Sequence, residues 1–153
     1  MSKLEHRIPP PIIVMIVGLA MWLIARYTPL WAIPQVWRVA LATGTFALAL
    51  CVGGAGFLAF RRAHTTIDPV NLQGASALVT AGIFGVSRNP MYVGLAGLLT
   101  AWAVFLAAPW AIAGVVAFLL FIWRFQILPE ERVMSAKFGE AYADYRRRVR
   151  RWL

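Results

Sequence analysis

Charge is what this chain has least of. Charged residues fill 14% of its 153 positions and hydrophobic residues 61%, whereas a soluble domain carries about 25% and about 45–50% respectively. That composition excludes an ordinary water-soluble globule. Cysteine occurs once, as Cys51 within an apolar run, so no intrachain disulfide can form and the residue reads as a small packed hydrophobe. Histidine occurs twice, and no second His or Cys stands near His64, which leaves no set of ligands for a metal ion. No serine has the His-plus-acid company of a triad, and the sequence holds no internal repeat or low-complexity tract.

The charges that do occur leave long gaps. Asp, Glu, Lys and Arg are missing from Ile8 to Ala25, from Val39 to Phe60 and from Asn89 to Trp123. A hydrocarbon core of about 30 Å is crossed by roughly 20 apolar residues, so each gap is long enough to span a membrane. The last gap holds 35 residues; as one helix it would be about 52 Å long, so it folds back on itself. Ala107, Ala108, Pro109 and Trp110 are the place, because proline suits the first turn of a new helix and disfavours helix before it. Predicted spans are therefore 11–27, 36–60, 91–107 and 110–128. The first begins after Lys3 and Arg7 in the manner of a signal peptide, but Trp22, Leu23 and Ile24 run straight into Arg26 and Tyr27 with no small-residue cleavage site. It reads as an uncleaved span. Between the first two spans, Tyr27, Trp31 and Trp37 suit a membrane–water interface.

The stretch from Pro69 to Ser87 is uncharged but broken by Asn71, Gln73 and several glycines, and reads as a loop or short interfacial segment. From Pro129 onward, Val133, Phe138, Ala141, Tyr142, Tyr145, Val149 and Trp152 recur at helical spacing. The expected fold is an all-α integral membrane protein, a single membrane domain over residues 1–153. It has about four transmembrane helices, the third and fourth a tight hairpin, plus a C-terminal amphipathic helix in the cytoplasm.

Lys and Arg number 15 against 6 Asp and Glu. On this topology 13 basic residues fall on the side of the N-terminus, residues 61–90 and the tail from Arg124, and only Arg26 and Arg38 on the other. The positive-inside rule then places both termini in the cytoplasm of a multi-pass cell-membrane protein. The net charge of +9 is accounted for by topology and anionic lipid headgroups. No aromatic-basic pattern accompanies it, which ranks nucleic acid last among partners.

Two segments carry residues suited to chemistry. Arg88 and Asn89 stand where the chain enters the third span, Pro90 suits the first helical position, and Tyr92 lies in the first turn. Arg88 is either an interface anchor or, with the free N–H groups of the helix start, part of an anion site. At the other segment, Glu130 and Glu131 complement a helix dipole. Neighbouring helical residues point about 100° apart, so the two cannot serve one partner equally; one can face a cationic ligand while the other pairs with an arginine or the first-turn amides. Arg124 lies inside the apolar limit of the fourth span, where an ionisable group is either functional or snorkels to the interface. Gly53-Gly54-Ala55-Gly56 lies within an apolar helix and reads as close helix packing.

Leu78-Val79-Thr80-x-Gly82-Ile83-Phe84-x-x-Ser87-Arg88-Asn89-Pro90-Met91-Tyr92-Val93-Gly94, then a hairpin, then Pro129-Glu130-Glu131 and Phe138-Gly139-x-x-Tyr142-x-x-Tyr145, resembles the isoprenylcysteine carboxyl methyltransferase family and, more distantly, the phospholipid N-methyltransferases. The likeness covers roughly half the chain, from Ala77 to Trp152. It implies an integral-membrane methyltransferase using S-adenosylmethionine (SAM) and releasing S-adenosylhomocysteine, with the cofactor held by cytoplasmic residues 64–92 and 124–153. It further implies a lipid-like or small hydrophobic acceptor reached from the bilayer lipids. By position, Gly82, Arg88, Asn89, Tyr92 and Gly94 match the first cofactor segment, and Glu130 and Glu131 the second. Many relatives have His at Asn89, and an amide cannot exchange a proton near neutral pH. If the acceptor is a carboxylate, Arg88 or Arg124 can hold it; an amine or thiol must lose a proton, for which Glu131 or His64 is the candidate base.

The competing class is a non-catalytic membrane module, a small transporter or an assembly factor that keeps the fold. Proton-coupled exporters of this size need an acidic residue in mid-membrane, and none of the three charge-free runs contains one.

Overall fold

A computed structural model describes residues 8–63 and 78–153. Five α-helices carry the chain among the described residues: α1 (Pro10–Tyr27), α2 (Gln35–Arg62), α3 (Pro90–Leu106), α4 (Ile112–Ile122) and α5 (Leu128–Arg148). Three helical stretches, Pro10–Tyr27, Gln35–Arg62 and Pro109–Arg148, are long and apolar enough to cross a membrane, and α3 is a shorter apolar helix of 17 residues. Large side chains on the outer faces of α1 and α2 are exposed, Met15 and Leu48 among them. In water they would be a liability; in lipid they face a solvent as apolar as themselves.

The turn between α3 and α4 falls where proline requires it. Helix α3 closes on Ala107 in the left-handed region, at φ 50, and Pro109 opens a short 3-10 turn to Ala111. The Ala107 carbonyl accepts the Trp31 N–H at 2.8 Å, tying the α1–α2 loop to this end of the bundle.

Small residues set how closely the helices approach. A Cβ built on Gly94 of α3 would lie 2.7 Å from the Gly53 Cα and 2.9 Å from the Ala49 carbonyl oxygen of α2. One on Gly56 would meet Pro90 and Met91 at 3.0 Å. The glycine run of α2 is thus a packing surface, as read from its apolar setting. On the other side of α3, α1 and α4 enclose a core of Met21, Leu99, Phe118, Ile122 and Ile127, and the Trp102 indole N–H donates to the Gly18 carbonyl at 3.0 Å.

Two features differ from expectation. Proline at 129 does not separate the fourth span from the tail: the chain stays helical from Pro109 to Phe138, passing through a π-helical turn at Trp123–Ile127. A proline ring clashes with the carbonyl four residues back and offers it no N–H, and a widened turn at that place accommodates both defects. The break comes instead at Gly139, at φ 50 and ψ −122, a conformation open to glycine because it lacks a Cβ. It divides the tail into two segments, so the periodicity read across it does not hold throughout: Tyr142 and Tyr145 are buried while Ala141 is exposed.

Candidate functional site

The N-terminal end of α1, the start of α3 and the start of α5 meet at one end of the bundle. Gly82, at φ 63, opens a 3-10 turn through Gly85 that leads the chain to this end. Tyr145 fixes the turn, its buried hydroxyl donating to the Phe84 carbonyl at 2.7 Å. Ser87 is fully buried, and its Oγ accepts the Asn89 N–H at 3.1 Å. Asn89 is the residue before α3 and makes no side-chain cap; its Nδ2 donates instead to the Arg151 carbonyl at 2.9 Å. The Arg88 N–H donates to the Arg150 carbonyl at 3.0 Å. Two successive residues are thereby laced to two successive residues of the tail.

Pro129 is buried in the first turn of α5, and the two carboxylates that follow it diverge as helical geometry requires. The Tyr92 hydroxyl donates to Glu130 Oε1 at 2.5 Å. Glu131 turns the other way: Arg88 Nη2 lies 3.1 Å from its Oε1, Arg151 Nε donates to Oε1 at 3.0 Å, and Arg151 Nη2 to Oε2 at 2.9 Å. The side chains of Arg88 and Glu131 are each 9% exposed. Arg151 is more open, and its hydrogen bonds to Glu131 hold its guanidinium above the ordinary arginine range, against the opposing effect of partial burial. Arg88 keeps Nε and Nη1 buried with no hydrogen-bond partner. Such orphans are rare in folded proteins and point to a missing partner.

Arg88, Asn89, Tyr92, Glu130, Glu131 and Tyr145 line a cavity of about 520 Å³, within the range of small-molecule sites. Most of its wall is apolar, from Pro10 of α1, Gly53 and Phe57 of α2, Leu95 of α3 and Met134 of α5. Leu50 and Phe57 line it and are also exposed on the outside of α2, so the cavity reaches the outer, lipid-type surface of the bundle.

Of the residues expected from sequence, Arg88, Asn89, Tyr92, Gly94, Glu130 and Glu131 all line this cavity. Gly82 does not; a Cβ there would meet nothing, and its place in the fold is set by its backbone angle. Arg124 does not line it either: it is exposed on the π turn, its guanidinium 5.4 Å from the Phe125 ring centre. His64 lies outside the described residues. Arg151 is the residue that sequence reasoning missed. It is one of several arginines between Arg146 and Arg151, and nothing local distinguishes it from the rest of the run.

Residues 37–141 match the family described as PEMT, phospholipid methyltransferase. A protein of Haemophilus influenzae, described only as uncharacterized, is 44% identical over 63 residues, which is 41% of this chain and 100% of that protein.

Proposed function

This chain belongs to the phospholipid methyltransferase family, and from that premise we propose that it binds SAM at the Arg88–Glu130 cavity. It transfers the methyl group to a lipid-like or small hydrophobic acceptor at the cytoplasmic face of the cell membrane. One observation carries the reading. A single cavity presents buried, unpartnered guanidinium nitrogens on Arg88 and, beside them, a carboxylate, Glu130, whose partner is a hydroxyl. That donor set fits an amino acid end, with a carboxylate for the arginine and an ammonium for the glutamate.

In this reading Arg88 and Glu130 hold the two ends of the amino acid moiety, Tyr92 orients Glu130, and the apolar wall takes the rest. When bound, SAM would supply a sulfonium-activated methyl group for in-line transfer to the acceptor, with S-adenosylhomocysteine as the leaving group. What the chain contributes is orientation and exclusion of water, which can account for most of such a rate enhancement; no dedicated nucleophile is required. Glu131 has its oxygens engaged by two arginines, so it acts as the anchor of Arg88 rather than as a base. The acceptor reaches the methyl group from the α2 side, where Gly54 leaves room and Phe57 meets the outer surface. Asn89 donates to the tail and performs no proton transfer.

Calorimetric titration of SAM into the full chain purified in detergent tests this directly. Saturable binding is expected, and no heat of binding at millimolar SAM overturns the proposal. Labelled SAM added with membrane extract then identifies the acceptor and whether its carboxylate, amine or thiol is methylated; binding without any labelled product would favour the non-catalytic module.

A further inference from the structure

The tail beyond α5 does more than end the fold. Val149 leaves the helix in extended conformation, at φ −120 and ψ 133. The next residues lie across the start of α3: Arg150 and Arg151 accept hydrogen bonds from the Arg88 N–H and the Asn89 side chain, and Trp152 packs against the core. Arg151 is the one whose side chain then reaches Glu131. Residues 37–141 carry the family match, so this strap lies outside it.

Consider what Glu131 would do without Arg151. A carboxylate offers two oxygens in a plane, and a single guanidinium beside it takes both in the two-pronged geometry that arginine and carboxylate prefer. Arg88 is the other guanidinium at hand, 3.1 Å away. In the structure it is denied that geometry: Arg151 occupies Oε2 and shares Oε1, so Arg88 reaches Glu131 through Nη2 alone and keeps Nε and Nη1 unpartnered. We propose that Arg151 is a positioning residue, which by capturing both oxygens of Glu131 keeps two donors of Arg88 available for the anionic end of the ligand. This rests on the reading of the cavity as a SAM site. Arg151 also balances the charge: with Arg88 it offsets Glu131 and Glu130, so the site presents an arginine and a carboxylate separately rather than one closed ion pair.

The test is SAM titration of the full chain in detergent, comparing the parent with Arg151→Ala, Arg151→Lys, Glu131→Gln and Arg151→Ala/Glu131→Gln. Because misplacing a binding group by about 1 Å can cost about 100-fold, Arg151→Ala is expected to weaken SAM binding by about 10- to 100-fold. Lysine keeps the charge but not the fork, and restores part of the loss. In the Glu131→Gln background, removing Arg151 adds little further loss, because its target is already gone; a merely structural role would give additive losses. Full affinity in Arg151→Ala, or additive losses in the double variant, overturns the proposal while leaving the SAM site intact. Absence of binding by the parent chain overturns the SAM reading itself. If Arg151→Ala does not fold, Arg151→Lys alone decides, since unchanged affinity in it removes the need for the two-pronged capture.

Discussion

Arg88 Nη2 sits 3.1 Å from Glu131 Oε1, and these two residues stand at opposite ends of the helical hairpin formed by α3 and α4. The ion pair therefore closes the hairpin at its base, and Arg151 locks it from the tail. Removing one member of a buried pair leaves its partner uncompensated, which costs about 3–5 kcal/mol. Glu131→Ala is expected to lose stability on that scale, read as thermal unfolding in detergent, because it strands Arg88, the more buried of the two arginines. Stability equal to the parent would contradict the assignment of Glu131 as anchor.

Glu130→Gln separates charge from shape. The amide can still accept the Tyr92 hydroxyl, so the fold is expected to keep its stability. Hydrogen bonds to charged groups contribute about 1.5–3 kcal/mol, so SAM affinity should fall by about 10- to 100-fold. Tyr92→Phe, which removes only the orienting hydroxyl, should give a smaller loss in the same titration.

Helix spacing gives a prediction with an internal control. Gly94→Ala drives a methyl group into the α2 backbone and should destabilise by about 1–3 kcal/mol, as overpacking does. A Cβ on Gly54 meets nothing within 4 Å, so Gly54→Ala should be neutral or stabilising by up to about 1 kcal/mol from helix propensity. Both are read from unfolding in detergent, and equal effects would refute the packing account.

Arg124→Ala is expected to leave SAM affinity within about twofold of the parent, the scatter of surface substitutions, because this arginine is exposed and does not line the cavity. A large loss in the same titration would return Arg124 to the list of site residues.

The sequence made the helices legible because lipid demands long charge-free runs and proline demands a turn at Pro109. The carboxylate pair was legible too, since adjacent helical residues must diverge, and the structure sends Glu130 to Tyr92 and Glu131 to arginine. What remained hidden depends on distance along the chain. Arg151 lies 20 residues from Glu131 in a run of similar arginines, and only the folded tail singles it out. The helix through Pro129 was hidden for a different reason: proline signals a helix start or a break with equal force, and the widened turn that reconciles it with a continuous helix leaves no mark in composition.

That continuous helix couples the site to the apolar span. From Pro109 to Phe138 there is no residue with non-helical angles, so Glu130 and Glu131 stand on the same rod as the apolar segment. The helix breaks at Gly139, and the tail beyond it carries Tyr142, Tyr145 and Arg151. A tilt of the apolar arm, such as a thinner or thicker bilayer imposes, therefore bears on the carboxylates and on the tail that Glu131 holds through Arg151.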